Sequence, residues 1–233
     1  MYKKLTEIGL KHGTDKAFFH LFTEFYNDCF ENYLNKEINI LEIGIAKGKS
    51  ILMLKEYFPN ANIYAIDIDK DSVNLELGDS VHKFLCSQDD FEKLNKIFNN
   101  LKFDIIIEDG SHMTSHQQSS LGFFFNFLNK DGIYICEDLH TSHNNEYINT
   151  TVSTLDILQN YCKTNKITCD LLNDRQIEYL NNNILNISFF ERDKNAIKCY
   201  KCLQNNENNN SCIYCNTNLS PSDKSITSII KHK

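Results

Sequence analysis

Residues 38–48 read INILEIGIAKG, and this stretch decides the fold class. Apolar side chains from Ile38 to Ile43 predict a buried β-strand, and Gly44 then permits a sharp turn into a helix. That helix is predicted over Ser50 to Phe58 and stops near Pro59. A strand that turns directly into a helix is the beginning of a βαβ unit.

Strand-like and helical segments alternate on the C-terminal side of this unit, whereas the first 37 residues are predicted to be helical. The further predicted strands are Asn62 to Ile68, His82 to Leu85, Phe103 to Ile107 and Gly132 to Cys136. Short apolar strands separated by helices form a parallel sheet that is buried on both faces. Ile184 to Arg192 and Ala196 to Tyr200 are expected to follow as an antiparallel pair. The predicted fold is therefore α/β: a Rossmann-like, doubly wound sheet, mostly parallel with an antiparallel last strand.

The composition predicts a soluble globular protein with one core. The 233 residues are 41% hydrophobic and 24% charged, with a formal net charge of −7. An acidic balance argues against nucleic acid as the main partner, because a phosphate backbone is usually met by a basic face. We find no secretory signal and no stretch near the roughly 20 apolar residues that span a bilayer. We therefore expect a cytoplasmic protein with no membrane partner.

The glycine-rich turn predicts a cofactor site. Gly44, Ala46 and Gly48 let a ligand approach the backbone closely, and Asp67 ends the next strand, where a carboxylate can accept hydrogen bonds from ribose hydroxyls. Taken alone, this pattern fits NAD, S-adenosylmethionine (SAM) or a plain tight turn. The Gly-x-x-x-Gly spacing and the acidic Glu42 before the turn favour the cationic SAM over the diphosphate of NAD.

Acidic residues follow two further strands, with Asp109 after one and Glu137 and Asp138 after the other. If these strands are neighbours, three carboxylates converge, and a hard divalent cation such as Mg²⁺ would relieve their repulsion. His112 could take the proton from a metal-bound hydroxyl. The alternative is that the two adjacent acids cap a helix and that His112 is a surface turn residue. Glu108 either reaches the sulfonium of SAM or faces solvent.

Five motifs in this order resemble a known enzyme family. They are His12-Gly13-Thr14-Asp15-Lys16, Leu41 to Gly48, Ala65-Ile66-Asp67-Ile68-Asp69, Ile107-Glu108-Asp109-Gly110-Ser111-His112 and Cys136-Glu137-Asp138-Leu139-His140-Thr141-Ser142. Together they resemble class I SAM-dependent, metal-dependent sugar O-methyltransferases of macrolide and rhamnosyl-antibiotic pathways, with a relative in cephalosporin biosynthesis. The resemblance covers about residues 8–200. It implies that Asp109, Glu137 and Asp138 hold Mg²⁺ and that His112 is the general base.

The resemblance also implies contacts with SAM. The Gly44 turn, Asp67 and the Ser87-Gln88 stretch would bind the cofactor, and Lys16 would pair with its carboxylate. The alternative for the Lys16 segment is a solvated helix cap at Thr14 or Asp15.

Three residues depart from the family pattern. Glu108 stands where the family usually has Asp, which makes its role ambiguous. Cys86-Ser87 replaces a usual Gly-Asp and puts the adenine contacts in doubt, and His143 replaces a common Tyr, which alters the expected substrate fit. The larger antibiotic enzymes also have an extra N-terminal domain that this sequence does not contain.

Four of the nine cysteines are spaced as two Cys-x-x-Cys pairs. Thiolates at Cys199, Cys202, Cys212 and Cys215 could surround a structural Zn²⁺ tetrahedrally. The alternative is that the first pair belongs to the last strand and the rest is disordered. This prediction rests on spacing alone and not on the resemblance.

The sequence thus predicts three parts: a methyltransferase domain over residues 1–198, a four-cysteine zinc knuckle over 199–217 and a flexible tail over 218–233. The expected reaction is Mg²⁺-dependent transfer of a methyl group from SAM to a hydroxyl of a small-molecule sugar. Catechol or polyketide O-methylation is the rival reaction, and a non-catalytic binding module that uses the knuckle is the rival class. The acceptor and the oligomeric state, a homo-oligomer included, stay open.

Overall fold

Five parallel strands form the centre of the molecule. The computed structural model describes residues 3–192, 197–198, 204–206, 212, 215 and 225–233. The central strands are β1 (Asn39–Ile43), β2 (Asn62–Asp67), β3 (Val81–Leu85), β4 (Phe103–Glu108) and β5 (Leu128–Cys136). They pair in the spatial order β3-β2-β1-β4-β5, and every pairing among them is parallel. The order reverses beside β1, which is where open α/β sheets bind ligands at the carboxyl ends of their strands.

Helices cover both faces of this sheet. They are α1 (Lys4–His12), α2 (Asp15–Phe18), α3 (Phe22–Phe30), α4 (Lys49–Tyr57), α5 (Lys70–Val73), α6 (Phe91–Phe98), α7 (Thr114–Phe124), α8 (Thr154–Thr164) and α9 (Asp174–Asn183). Apolar residues of α1, α3 and α4 form one core with one face of the sheet. Those of α6, α7, α8 and α9 form a second core with the other face. No helix in the described ranges has the length and apolar character needed to span a membrane.

The antiparallel end of the sheet differs from the sequence prediction. Strand β6 (Ile184–Glu191) forms as expected, but its partner in the sheet is a strand near the C-terminus, Ile226–His232. That C-terminal strand lies between β5 and β6 and is antiparallel to both. The overall prediction of a mostly parallel sheet with an antiparallel last strand is thereby confirmed.

The prediction of a flexible tail is wrong for this C-terminal strand. Ile226, Ile229 and Ile230 are buried, and the Thr227 hydroxyl donates to the carbonyl of Cys136 over 3.0 Å. Four residues of this strand pair with β5, so backbone groups on that side have hydrogen-bond partners inside the sheet. The methyltransferase sheet therefore does not end at residue 198.

The cysteine-containing segment consequently lies between two strands of the same sheet. Two short strands within it, β7 (Ile197–Lys198) and β8 (Asn205–Asn206), pair with each other in antiparallel fashion. The expected pairing of Ala196 to Tyr200 with β6 is therefore wrong for its described residues, Ile197 and Lys198. We number the C-terminal strand β9 (Ile226–His232).

Candidate active site

The turn after β1 is built around Gly44. Its φ is +100°, and a Cβ at this position would lie 2.1 Å from the carbonyl oxygen of Asp109. Only glycine fits, because that oxygen belongs to the backbone of the neighbouring turn after β4 and cannot swing away. The sharp turn predicted at Gly44 is present, and the packing of these two turns requires glycine there. The close approach of a ligand to Gly44 stays a prediction.

Asp67 holds the same turn from the end of β2. Its Oδ2 accepts hydrogen bonds from the backbone N–H groups of Ile45 (2.7 Å) and Ala46 (3.1 Å), and its Oδ1 accepts one from Asp69 (2.8 Å). Ala46 and Gly48 both have positive φ, of 45° and 69°. Oδ1 keeps a further lone pair, so Asp67 can fix the turn and still accept a hydrogen bond from a ligand.

A cavity of about 140 Å³ opens beside Asp67. It is lined by Ile43, Gly44, Ile66, Asp67, Ile68, Cys86, Ser87, Gln88, Gly110, Ser111 and His116. Four of these residues are predicted cofactor contacts, whereas Ile68 and His116 are not. Ile68 is 74% exposed, unusual for a large apolar side chain, and it offers an apolar surface to a ligand ring. Its position directly after Asp67 is the sequence signal that could have identified it.

A second cavity, of about 330 Å³, lies on the other side of Gly44. The α1–α2 connection, the glycine-rich turn and the start of α4 form its walls, and Glu42, Ala46, Lys16 and Asp109 are among the lining residues. Because both cavities contain Gly44, the turn separates two neighbouring compartments. An elongated ligand such as a nucleoside with a charged tail can use both.

Gln88 and Glu108 are buried between the cavities and the sheet. The Gln88 amide donates to Glu108 Oε1 over 2.8 Å and accepts from the backbone N–H of Ser111 over 2.9 Å. Burial raises the pKa of Glu108, which also accepts a hydrogen bond from the Cys136 thiol. The alternative that Glu108 faces solvent is therefore wrong. Gln88 links the turn after β3 to the turn after β4.

Lys16 lies among three carboxylates, a placement that the sequence did not predict. Its Nζ donates to Asp109 Oδ2 and to Glu137 Oε2 (2.7 Å), and it lies 3.8 Å from Glu42 Oε1. Burial alone would lower the pKa of Lys16, but the carboxylates of Asp109 and Glu137 raise it well above its ordinary value. The solvated-cap alternative for Lys16 is wrong, because its side chain is only 2% exposed. Its pairing with the carboxylate of SAM stays a prediction, although the ammonium is already engaged.

Two predicted metal ligands and the predicted general base lie close together next to Lys16. Ligand atoms of Asp109, His112 and Asp138 all lie within 4.8 Å of one another, and His112 Nε2 is 3.6 Å from Asp138 Oδ2. His112 and Asp138 adopt the left-handed backbone conformation, with φ of 61° and 53°, which is uncommon for residues other than glycine. This geometry favours a site residue at His112 over the alternative of a surface turn residue.

Glu137 is placed differently from the other two predicted metal ligands. Its side chain is 2% exposed, and its Oε2 forms an ion pair with the ammonium of Lys16. Burial raises the pKa of Glu137 well above its ordinary value. The neighbouring Gln117 amide donates to the Glu137 carbonyl over 3.1 Å and fixes the backbone there. Glu137 as a metal ligand stays a prediction.

Two further histidines, which were not predicted as site residues, lie near Asp138 Oδ1. His20 Nδ1 and His140 Nδ1 lie 3.7 Å and 3.8 Å from Asp138 Oδ1. Both are held by the beginning of β9, since His20 Nδ1 is 2.8 Å from Ser225 Oγ and the backbone N–H of Ile226 donates to His140 Nδ1 over 3.4 Å. His140 belongs to a quoted motif, but nothing local in the sequence marks His20 or Ser225.

The residues present fit a hard divalent cation. Within the described ranges, Asp138 Oδ1 and His112 Nδ1 are buried and make no hydrogen bond. Burial raises the pKa of Asp138 to about 7, and the nearby Asp109 carboxylate adds to the shift. A buried carboxylate that is disfavoured as an anion, beside a second carboxylate, is stabilised by a metal ion. Mg²⁺ suits such oxygen ligands better than softer metals.

The predicted zinc knuckle lies mostly beyond what the structure describes. Cys199 and Cys202 lie outside the described residues, although their positions fall between the paired strands β7 and β8. Cys212 is fully buried and Cys215 is half-buried. The four-cysteine site stays a prediction.

Sequence comparison decides the family. A profile described as a methyltransferase domain matches residues 34–188. The chain belongs to the methyltransferase domain family. The turn at Gly44, Asp67, Asp109, His112 and Asp138 all lie within the matched range. The predicted class I fold is confirmed, and the predicted methyltransferase is confirmed at the level of its domain family.

Curated relatives resemble about the same part of the chain. Mycinamicin VI 2''-O-methyltransferase of Micromonospora griseorubida is 35% identical over 149 residues, which are 60% of this chain and 37% of the relative. The 8-demethyl-8-alpha-L-rhamnosyl tetracenomycin-C 2'-O-methyltransferase of Streptomyces olivaceus is 33% identical over 147 residues, or 60% of this chain and 38% of the relative. The similar segments thus span less than two fifths of these relatives.

A solved structure also confirms the fold. MycE methyltransferase from the mycinamycin biosynthetic pathway, solved with Mg, SAH and mycinamycin VI, superposes with a TM-score of 0.71 at 23% identity. The alignment covers 99% of this chain and 55% of MycE.

Proposed function

We propose that this protein transfers a methyl group from SAM to a hydroxyl of a sugar, with Mg²⁺ as the metal ion. The observation that carries the proposal is the convergence of Asp109, His112 and Asp138 within 4.8 Å, directly beside the turn that forms the cofactor cavities. Hydroxyl methylation needs a methyl donor and a group that takes the hydroxyl proton, and a bound metal ion helps by lowering the pKa of the hydroxyl. Here they share one sheet edge.

Each half of the site has its own task in this proposal. The cavity beside Asp67 takes the adenosine, with Asp67 on the ribose hydroxyls and Ser87 and Gln88 near the base. The second cavity, which is lined by Lys16 and Glu42, takes the methionine part of SAM. Gly44 lies between them, so the sulfonium would sit near the turn and close to Asp109.

The chain's own residues then carry the chemistry. Mg²⁺ held by Asp109 and Asp138, with Glu137 as the further predicted ligand, would lower the pKa of an acceptor hydroxyl. His112 Nε2, which points at Asp138, takes the proton. The acceptor oxygen forms a bond to the methyl carbon of SAM, the carbon–sulfur bond breaks, and the sulfur keeps the electron pair. In this proposal the site would hold the oxygen and the methyl group in line, which would remove much of the entropic barrier.

A sugar acceptor is favoured over a catechol by the walls on the acceptor side. Imidazoles of His20, His112 and His140 surround Asp138, and such polar rings suit several hydroxyls better than a flat aromatic ring. The names of two relatives give mycinamicin VI and a rhamnosyl tetracenomycin as the compounds they methylate, and the rhamnosyl group supports the same acceptor class.

An acceptor panel tests the proposal. Purified protein is incubated with SAM and Mg²⁺ and with nucleotide sugars, rhamnosides or catechols, and the product mass is measured. A mass increase of one methyl group on at least one sugar, absent without Mg²⁺, is expected. Transfer to catechols alone would favour the rival reaction, and SAM binding without transfer to any acceptor would favour a binding module.

We also propose that Cys199, Cys202, Cys212 and Cys215 bind one structural Zn²⁺. The support is their spacing and the burial of Cys212. Its role would be to fix an Asn-rich insertion that has few apolar residues to bury. Elemental analysis should find about one zinc per chain, and Cys212→Ser with Cys215→Ser should remove it while Asp109→Ala leaves it bound. Protein prepared without chelator that contains no zinc would contradict this.

A further inference from the structure

The imidazole of His20 lies at the acceptor side of the site and has no role in the chemistry above. Its side chain is 12% exposed, and its ring stacks on Phe22 with centroids 4.9 Å apart. The edge of Phe19 packs against it at 4.8 Å. A polar ring that is mostly buried among aromatic side chains needs hydrogen-bond partners to offset the loss of water.

One nitrogen of His20 has such a partner. Nδ1 lies 2.8 Å from Ser225 Oγ, across 205 positions of sequence. Ser225 is itself buried, and its carbonyl accepts from the backbone N–H of Arg192 over 2.9 Å. The serine is therefore fixed where β6 ends and β9 begins. Because Nδ1 is engaged, the ring has a defined direction, and no described residue hydrogen-bonds its Nε2.

Asp138 lies near both His20 and His112, the proposed proton acceptor. Its Oδ2 faces His112 Nε2 at 3.6 Å, and its Oδ1 faces His20 Nδ1 at 3.7 Å. The two imidazoles thus lie near different oxygens of one carboxylate. An acceptor with two neighbouring oxygens at Asp138 would present one oxygen to His112 and the other to the side of His20.

We propose that His20 is an acceptor-binding residue, whose Nε2 hydrogen-bonds the sugar oxygen next to the one that is methylated. Ser225 is the positioning residue that sets the direction of the ring. The inference rests on the proposed function and deepens it. It makes a free hydroxyl beside the methylated one a requirement for good substrates, and it makes the C-terminal strand part of substrate selection.

Four variants test the inference. His20→Asn keeps an amide near the position of Nδ1 and removes Nε2, whereas His20→Gln returns a polar group near Nε2. Ser225→Ala removes the positioning hydroxyl. Ser228→Ala is the matched control, because Ser228 lies on β9 with a buried hydroxyl that makes no hydrogen bond within the described residues. Urea unfolding establishes that each variant is folded.

The readout is methyl transfer to a vicinal diol and to its analogue without the second hydroxyl. For the diol, His20→Asn should raise KM about tenfold, corresponding to one lost hydrogen bond of about 1.4 kcal/mol. Ser225→Ala should raise KM less, His20→Gln should recover part of the loss, and Ser228→Ala should leave KM unchanged. For the analogue, wild type and His20→Asn should have the same KM. SAM affinity and the Mg²⁺ half-saturation should not change.

Each other outcome is decisive. A wild-type KM in His20→Asn, or an equal loss with the diol and the analogue, overturns the role of His20. A rise in the Mg²⁺ half-saturation would make His20 a metal ligand instead, and also overturns it. Those results leave the proposed function standing if wild-type protein is active. If wild-type protein methylates the analogue but no vicinal diol, the inference falls and the proposed function stands, whereas both fall if it methylates no sugar at all.

Discussion

The cofactor side and the acceptor side of this site are assembled in different ways. On the cofactor side, Asp67 fixes the Gly44 turn from the next strand along the chain. On the acceptor side, His20 comes from the segment between α2 and α3, and Ser225 comes from the far end of the chain. The comparison teaches that the cofactor half is encoded locally, whereas the acceptor half exists only after the whole sheet has formed.

The largest expected effect concerns Lys16, whose ammonium lies between the second cavity and the carboxylates of Asp109 and Glu137. Lys16→Met in Mg²⁺-free buffer should lower the free energy of unfolding by about 3–5 kcal/mol, because it leaves the carboxylates of Asp109 and Glu137 without their buried partner. Urea denaturation measures the loss. Lys49→Met, an exposed lysine on the wall of the same cavity, should change stability by less than about 0.5 kcal/mol.

A second substitution sharpens this test. Adding Glu137→Gln to Lys16→Met removes one of the uncompensated charges and should recover part of the lost stability. If Lys16→Met unfolds at the same urea concentration as wild type, Lys16 is not the counter-charge of this cluster.

Most of the fold could be predicted because its signals are short-range. Apolar strands, the Gly44 turn and the acids at strand ends all lie within segments of a few residues, and the predicted βαβ order is confirmed. β9 could not be predicted in the same way. Its Ile-Thr-Ser-Ile-Ile run follows a long polar insertion, so nothing local distinguishes it from a tail. Its partners, β5 and β6, are distant in sequence.

The site follows the same rule. Gly44, Asp109, His112 and Asp138 follow strands that are visible in the sequence, and Asp67 ends one. The structure brings all five to one edge of the sheet. The charge pairing of Lys16 depends on three separate segments, so spacing gave no hint that its ammonium contacts Asp109 and Glu137.

On the cofactor side, Asp67 carries the next largest effect. Asp67→Ala should weaken SAM binding at least about tenfold, because charge-assisted hydrogen bonds to the ribose are worth roughly 1.5–3 kcal/mol. Isothermal calorimetry with SAM measures the change. Asp71→Ala, a nearby exposed carboxylate, should bind SAM as wild type does. Unchanged affinity in Asp67→Ala would remove this residue from the cofactor site.

The pH dependence of Mg²⁺ binding should be more modest. Burial raises the pKa of Asp138 to about 7, so the metal-free folded protein holds a proton there between its ordinary pKa of 3.8 and about 7. In that range the free energy of unfolding of the metal-free protein falls as pH rises. Mg²⁺ binding strengthens over the same range, because it requires the ionised carboxylate of Asp138. Mg²⁺ affinity should rise by up to about tenfold from pH 6 to pH 8.

Thermal unfolding in a Mg²⁺ titration at the two pH values measures this dependence. Asp138→Asn, which has no carboxylate to titrate, should lose most of the difference. An equal Mg²⁺ affinity at pH 6 and pH 8 in wild type would show that Asp138 does not bind the ion.

The most direct measurement is methyl transfer from SAM to a sugar in the presence of EDTA and after Mg²⁺ is restored in excess. We predict that EDTA abolishes transfer and that Mg²⁺ alone restores it in wild type. Asp109→Ala should stay inactive at the same Mg²⁺ concentration, with its SAM affinity retained, because Asp109 lies in the Asp109–His112–Asp138 cluster. Full turnover in EDTA would contradict the account, since these residues would then act without a metal ion.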